Sequence, residues 1–134
     1  MNDQVTCSCP KILLVDDVPT NLMVLENYLL SISNICCQKA MNGKEAIELI
    51  EQRWSLCCCW YYFMVLMDIN MPLLDGIEAT KRIRLLEKES SRKPSIIIAC
   101  TANNITEREE QINYLKSGFN DISKLNRSQA NFKR

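Results

Sequence analysis

The sequence predicts an α/β fold in which one doubly wound parallel sheet carries helices on both of its faces. Short apolar runs alternate with segments of helical spacing along the chain of 134 residues, which is typical of strands joined by crossover helices. The apolar run at residues 64–67 does not alternate with polar side chains, and this indicates a strand that is covered on both faces. Pro72 follows it and limits the strand, because proline cannot donate to the ladder.

Residues 11–15 are predicted as the first strand because they form a short apolar run, and residues 19–33 are predicted as the first helix. Apolar residues recur in this helix at intervals of three or four, as on the buried face of an amphipathic helix. Asp17 or Thr20 is expected to cap its start. The residues expected to face the core are Leu22, Leu25, Leu29 and Ile32.

The second strand is predicted at residues 35–40, followed by the turn Asn42-Gly43 and by a helix over residues 44–52. The inward face of this helix is expected to consist of Ala46, Ile47, Leu49 and Ile50. A cysteine-rich connector at residues 53–60 then leads to the central strand, residues 61–68.

The next helix is predicted at residues 77–88, after the turn Asp75-Gly76, and Pro94 introduces a fourth strand at residues 95–100. The residues of this helix that are expected to face the core are Ile77, Thr80, Ile83 and Leu86.

A fourth helix is predicted to begin at the capping box of residues 106–109 and to end at Gly118. We expect Ile112 and Leu115 to face the core. The fifth strand is a very short one at residues 121–123. The last helix, from Ser128 onward, is expected to be short or truncated.

Composition and charge argue against two classes of partner. The net charge is zero and the isoelectric point is about 6.3, which is unlike a nucleic-acid-binding protein. The start of the chain lacks the pattern of a secretory signal, and the apolar stretch at residues 56–67 is too short to span a bilayer. We therefore expect a cytoplasmic location without membrane insertion, with residues 1–10 as a lead-in and residues 11–134 as a single domain.

Eight cysteines occur in a chain without histidine. None of them forms a CxxC pair, and the regular periodicity of the chain is unlike that of a small disulfide scaffold. We interpret the cysteines as reduced thiols that act as small apolar residues. A metal–thiolate site is the weaker alternative.

Polar side chains stand at the ends of four predicted strands. The carboxyl ends of parallel strands share one edge of the sheet, so these side chains can converge there. Carboxylates about 5 Å apart repel by roughly 3 kcal/mol at an effective dielectric of 20. Either one carboxylate therefore has a raised pKa, or a cation lies among them, and oxygen ligands select a hard cation such as Mg²⁺. The strand-end residues are Asp16, Asp17, Asp68, Thr101 and Lys124.

This set of groups is suited to phosphoryl transfer. A carboxylate can act as the nucleophile and form an aspartyl-phosphate. A metal ion and an ammonium group then neutralise the charge on the phosphoryl oxygens, while a hydroxyl donates a hydrogen bond.

Five motifs in combination carry a resemblance to a known family. They are residues 12–17, residues 65–72, Asp75-Gly76, residues 97–102 and Ser123-Lys124. They resemble the response-regulator receiver domains of two-component phosphorelays, over about residues 10–126. Residues 17–21 are also similar to receiver domains of hybrid histidine kinases.

The resemblance implies a flavodoxin-like sheet with strand order 2-1-3-4-5, and it implies a role for each site residue. Asp68 accepts the phosphoryl group, Thr101 and the backbone amide of Ala102 contact it, and Lys124 pairs with it. The ligands of Mg²⁺ are Asp16, Asp17, Asp68 and the backbone carbonyl of Asn70.

The same resemblance implies that the phosphodonor is a phosphohistidine on a histidine kinase or a histidine phosphotransfer protein. The chain contains no histidine, so it cannot supply that group itself. Such a module is a phosphoacceptor rather than an enzyme, although it assists its own phosphorylation and dephosphorylation. It can belong to a larger, membrane-anchored hybrid kinase.

The chain departs from the family pattern near its fifth strand. Receiver domains usually have an aromatic residue three positions before the lysine, where this chain has Asp121, or Ile122 if a gap is shifted. Leu125 stands where receivers usually have proline. These departures leave open a pseudo-receiver that binds proteins without phosphorylation.

Two further alternatives are weaker. A phosphatase with an aspartate nucleophile has a second aspartate two residues later, where this chain has Asn70. A flavodoxin-type cofactor protein needs a phosphate-binding loop after the first strand, where this chain has acidic residues.

Overall fold

The computed structural model describes residues 9–55, 61–101 and 108–123. Five strands and four helices alternate along these residues, and the strands form one parallel sheet in the order β2-β1-β3-β4-β5. The predicted fold class and strand order are therefore confirmed. The elements are β1 (Ile12–Val15), α1 (Pro19–Ser33), β2 (Cys37–Ala40), α2 (Gly43–Trp54), β3 (Met64–Asp68), α3 (Gly76–Glu89), β4 (Ile96–Cys100), α4 (Arg108–Ser117) and β5 (Asp121–Ser123).

Several of the sequence predictions fall wholly or partly outside the described residues. They include most of the lead-in at residues 1–10, the end of the predicted cysteine-rich connector, the capping residue Thr106 and the last helix from Ser128. Within the described ranges, no helix is long and apolar enough to cross a membrane.

Both faces of the sheet carry a core, and the two cores differ in size. The larger core lies between the sheet and helices α2 and α3, and it includes Leu13, Val65, Ile50 and Ile83. The smaller core lies under α1, where Leu22 packs against strand β1. This two-sided cover explains the continuous apolar runs of the central strands.

Helix α2 is longer than predicted at both ends, because its terminal residues have specific partners. Asn42 is its N-cap, and the side chain accepts a hydrogen bond of 2.8 Å from the backbone N–H of Glu45. At the other end, the buried Arg53 donates to the carbonyl of Pro10 at 2.6 Å and lies 4.0 Å from the ring centroid of Tyr62. Arg53 and Trp54 therefore belong to the helix rather than to the predicted connector.

Helix α1 has the predicted bounds, but its cap and one inward residue were predicted wrongly. Val18 is the N-cap and makes no side-chain cap hydrogen bond, and Pro19 opens the helix in place of a cap by Asp17 or Thr20. Ile32 is 51% exposed. Ile32 belongs to the last four residues of α1, residues 30–33, which are all exposed, so the end of the helix is not packed against the core.

Helix α4 packs through a different face from the predicted one. Ile112 and Leu115 are 41% and 48% exposed, so the prediction that they face the core is wrong. Tyr114 packs against the larger core instead, and its ring meets that of Phe119 edge-on at 6.2 Å. The aromatic residue takes the inward position because it buries more area than either aliphatic side chain. Gly118 ends the helix with a φ of 118°, as predicted.

Candidate functional site

Three carboxylates meet at the carboxyl edge of the sheet. Asp16 and Asp17 follow β1, Asp68 ends β3, and each offers one oxygen such that all three oxygens lie within 4.8 Å of one another. Asp16 is 8% exposed and Asp68 is 3% exposed. The three carboxylates expected to converge from the ends of β1 and β3 are thus close together in the structure, and like charges at this spacing repel strongly unless a cation joins them.

The first turn of α1 orients the carboxylate of Asp16. Its Oδ1 accepts a hydrogen bond of 2.9 Å from the backbone N–H of Val18, and its Oδ2 accepts one of 3.2 Å from the Nδ2 of Asn21. Neither donor was predicted from the sequence. Asn21 belongs to the similarity noted at residues 17–21, and its spacing of five residues from Asp16 places it in the first turn of α1.

Asp17 differs from Asp16 in its hydrogen bonds. Its Oδ1 is buried and has no hydrogen-bond partner among the described residues. A buried carboxylate oxygen without a donor is costly, and a bound cation removes that cost. The donor set of the cluster consists of carboxylate oxygens, which fits a hard cation such as Mg²⁺.

Strand β4 runs beside β3 and brings Thr101 to the same edge. Cys100 is in register with Asp68, and the backbone N–H of Ile69 donates to the Cys100 carbonyl at 3.2 Å. Thr101 is buried, and its own N–H donates to the carbonyl of Ser123 at 3.3 Å. The end of β4 is therefore held between β3, which carries Asp68, and β5.

The buried thiol of Cys100 lies beside the carboxylate cluster and is not one of the three groups that form it among the described residues. Its burial raises its pKa to about 12, and the nearby carboxylates of Asp68 and Asp16 add to this effect. A thiol with this pKa stays neutral at physiological pH. Cys100 therefore acts as a small apolar side chain next to the site, as predicted for the cysteines.

Gly76 allows α3 to begin directly against the backbone of Asp68. A Cβ atom at this position would lie 2.1 Å from the Asp68 carbonyl oxygen. The N–H of Gly76 donates to the Ile69 carbonyl at 3.0 Å, and Asp75 caps α3 by accepting from the N–H of Glu78 at 2.8 Å. The sequence predicts a turn here but does not indicate this support for the central strand.

Some of the other predicted site residues lie within the described part of the chain and some do not. Ala102 and Lys124 lie outside the described residues. Asn70 is exposed and stands two positions after Asp68. At the fifth strand Asp121 is exposed and Ile122 is partly buried.

Comparison with known proteins gives the family of this fold and site. Residues 12–128 match the family model of the response regulator receiver domain. The chain is 37% identical over 120 residues to hybrid signal transduction histidine kinase B of Dictyostelium discoideum, which covers 84% of this chain and 6% of that protein. The chain spans 9% or less of the first three curated relatives that it matches.

Two solved structures are similar in fold and sequence. The receiver domain of Ssk1 from Saccharomyces cerevisiae, crystallised with the histidine phosphotransfer signaling protein Ypd1, has 31% identity and a TM-score of 0.70, covering 84% of this chain and 76% of that chain. The receiver domain of sensor histidine kinase PA1611 from Pseudomonas aeruginosa has 34% identity and a TM-score of 0.66, covering 86% and 84%. The latter has a magnesium ion coordinated in its active site cleft.

Proposed function

The chain belongs to the response regulator receiver domain family, and from this premise we propose that Asp68 accepts a phosphoryl group from a phosphohistidine on a partner protein. The observation that carries the proposal is the cluster of three carboxylates around Asp68, in which Asp17 has a buried oxygen without a partner in the described part of the chain. This arrangement is unfavourable in a merely structural site and suitable for a metal-assisted phosphoacceptor.

We propose that Asp16, Asp17, Asp68 and the backbone carbonyl of Asn70 hold Mg²⁺. When bound, the ion neutralises carboxylate and phosphoryl charge. In the reaction, a carboxylate oxygen of Asp68 attacks phosphorus, the new O–P bond forms, and the N–P bond to the donor histidine breaks. The side chain of Asp68 suits this role because β3 and the start of α3 fix its backbone.

The remaining groups are proposed to bind the phosphoryl oxygens. Thr101 donates from its hydroxyl, Ala102 from its backbone N–H, and Lys124 contributes a positive charge. Support for Thr101 comes from its buried position at the end of β4, next to the strand that carries Asp68.

The proposed partner is a histidine kinase or a histidine phosphotransfer protein. Two observations support this: the chain contains no histidine, and a similar receiver domain crystallised with the phosphotransfer protein Ypd1. We further propose that residues 11–134 act as one domain after a lead-in at residues 1–10, in the cytoplasm and without nucleic-acid contact.

The output is proposed to be transfer of the phosphoryl group rather than a large change at α4 and β5. Phosphorylation attracts the hydroxyl of Thr101, and in a typical receiver an aromatic residue of the fifth strand then moves inward. Asp121 is exposed here, and a carboxylate resists burial. Ile122 is too small to fill an aromatic-sized space.

Incubation with acetyl phosphate and Mg²⁺, followed by intact-mass measurement, tests the proposal. We expect the mass to increase by one phosphoryl group in the wild type and not in Asp68→Asn. Asp121→Asn is the matched control, because it removes an exposed carboxylate from β5, which is separated from β3 by β4. This variant should be labelled normally. A wild-type chain that folds and binds Mg²⁺ but is never labelled would support the pseudo-receiver alternative instead.

A further inference from the structure

The two adjacent aspartates after β1 are held in different ways. Both oxygens of Asp16 accept a hydrogen bond, from the N–H of Val18 at 2.9 Å and from the Nδ2 of Asn21 at 3.2 Å. Asp17 Oδ1, in contrast, is buried without a partner among the residues that the structure describes. One carboxylate is therefore oriented by the protein, while the other keeps a free oxygen for a ligand.

The side chain of Asn21 is not needed to start helix α1. Within residues 9–55, the helix begins at Pro19 after Val18, without a side-chain cap hydrogen bond. The backbone N–H of Asn21 donates to the carbonyl of Val18 at 3.0 Å, so the backbone is satisfied independently of the side chain. The amide group of Asn21 instead points at a carboxylate of the metal-ligating cluster.

We propose that Asn21 is a positioning residue of the metal site, acting on the cation through Asp16. The inference rests on the proposed function, since it assumes that the cluster binds Mg²⁺. A carboxylate with two neighbouring carboxylates rotates away from them when no cation is bound. The hydrogen bond from Asn21 opposes that rotation and keeps Asp16 in place for the ion.

The chemical nature of Asn21 fits this role better than a charged donor would. Lysine or arginine at this position would also donate to Asp16, but its positive charge would compete with the cation for the same carboxylates. The neutral amide orients the ligand without neutralising it. Residues that orient a metal ligand typically change metal affinity by about 10–100-fold when they are replaced.

The test compares Asn21→Ala with Asn27→Ala. Both residues lie on α1, and Asn27 is exposed, so Asn27→Ala removes the same side chain from the same helix at a position away from the carboxylates. Isothermal titration with MgCl₂ should give a dissociation constant about tenfold higher for Asn21→Ala and unchanged for Asn27→Ala. In NMR spectra of the wild type, the side-chain amide signals of Asn21 should shift on addition of Mg²⁺, and those of Asn27 should not.

A third variant and the unfolding midpoint in EDTA separate positioning from a purely structural role. Asn21→Ser keeps a hydrogen-bond donor and should weaken Mg²⁺ binding less than Asn21→Ala. A lower midpoint in EDTA with unchanged Mg²⁺ affinity would show that Asn21 only stabilises the fold, and this would overturn the inference. Failure of the wild type to bind Mg²⁺ would contradict the proposed function itself, whereas equal affinity in the wild type and Asn21→Ala contradicts the role of Asn21 alone.

Discussion

Arg84 joins helix α3 to the segments before β4 and β5, and its removal should destabilise the domain strongly. Its Nε donates to the carbonyl of Gly118 at 2.8 Å, and its Nη1 donates to Glu87 Oε1 and to the carbonyl of Ser95, both at 2.8 Å. Its Nη2 donates to Asn120 Oδ1 at 2.6 Å. One guanidinium group thus connects three parts of the chain that are distant in sequence.

The magnitude follows from the burial of the partner carboxylate. The side chain of Glu87 is 5% exposed, and its Oε2 also accepts from the N–H of Ser95 at 2.8 Å. Removing one partner of a buried ion pair costs about 3–5 kcal/mol, because it leaves a buried charge uncompensated. The side chain of Arg84 is 22% exposed, so water reaches part of the pair and we expect a loss of about 3 kcal/mol. That is a large share of the roughly 5–15 kcal/mol by which domains are stable.

Urea denaturation of Arg84→Met measures this loss, with Arg82→Met as the control. Arg82 lies on the same helix, and its pair with Glu78 is 4.0 Å long with side chains 59% and 50% exposed, so its removal should cost about 0.5 kcal/mol or less. The double variant Arg84→Met/Glu87→Met should recover part of the loss, since it removes the uncompensated charge. A loss in Arg84→Met no larger than in Arg82→Met would refute this reasoning.

Three further substitutions should stabilise the protein, and thermal or urea unfolding measures each of them. Asp68→Asn removes one of three carboxylates with oxygens within 4.8 Å of one another. In EDTA it should raise the free energy of unfolding by about 1–3 kcal/mol, and a decrease would mean that repulsion is not the dominant effect. Thr80→Val removes a buried hydroxyl that has no partner in the described ranges, with an expected gain of about 1 kcal/mol; a loss would show that the hydroxyl is bonded. Leu73 has a φ of 70°, and Leu73→Asn should add up to about 1 kcal/mol because asparagine tolerates the left-handed region better. An unchanged midpoint would show that this backbone conformation is not strained.

The fold and the position of the carboxylates could be predicted from the sequence for one physical reason. Apolar runs of β1 and β3 end at Asp16 and Asp68, because a charged residue cannot continue a strand that is buried on both faces. Parallel strands end at a common edge, so these aspartates are expected to lie close together although they are far apart in the sequence. The turns at Asn42 and Asp75 were likewise predicted from the sequence, although the roles of these two residues as N-caps were not.

Tertiary contacts explain what the sequence did not predict. Ile112 and Leu115 have helical spacing, but the same helix offers Tyr114 on another face, and contact with Phe119 decides between the two. The bond from Asn21 to Asp16 joins the end of β1 to the first turn of α1, and the residue types alone do not indicate that these two side chains meet. The need for glycine at position 76 depends on how closely α3 approaches the carbonyl of Asp68.

Phosphoryl transfer between proteins tests the central claim most directly. A histidine phosphotransfer protein carrying radiolabelled phosphohistidine is mixed with this chain in the presence of Mg²⁺, and the label on each protein is followed with time. The account predicts that the label moves to the wild-type chain, that transfer stops in EDTA, and that Asp68→Asn receives none. Transfer to Asp68→Asn at the wild-type rate would contradict the assignment of Asp68 as the phosphoacceptor.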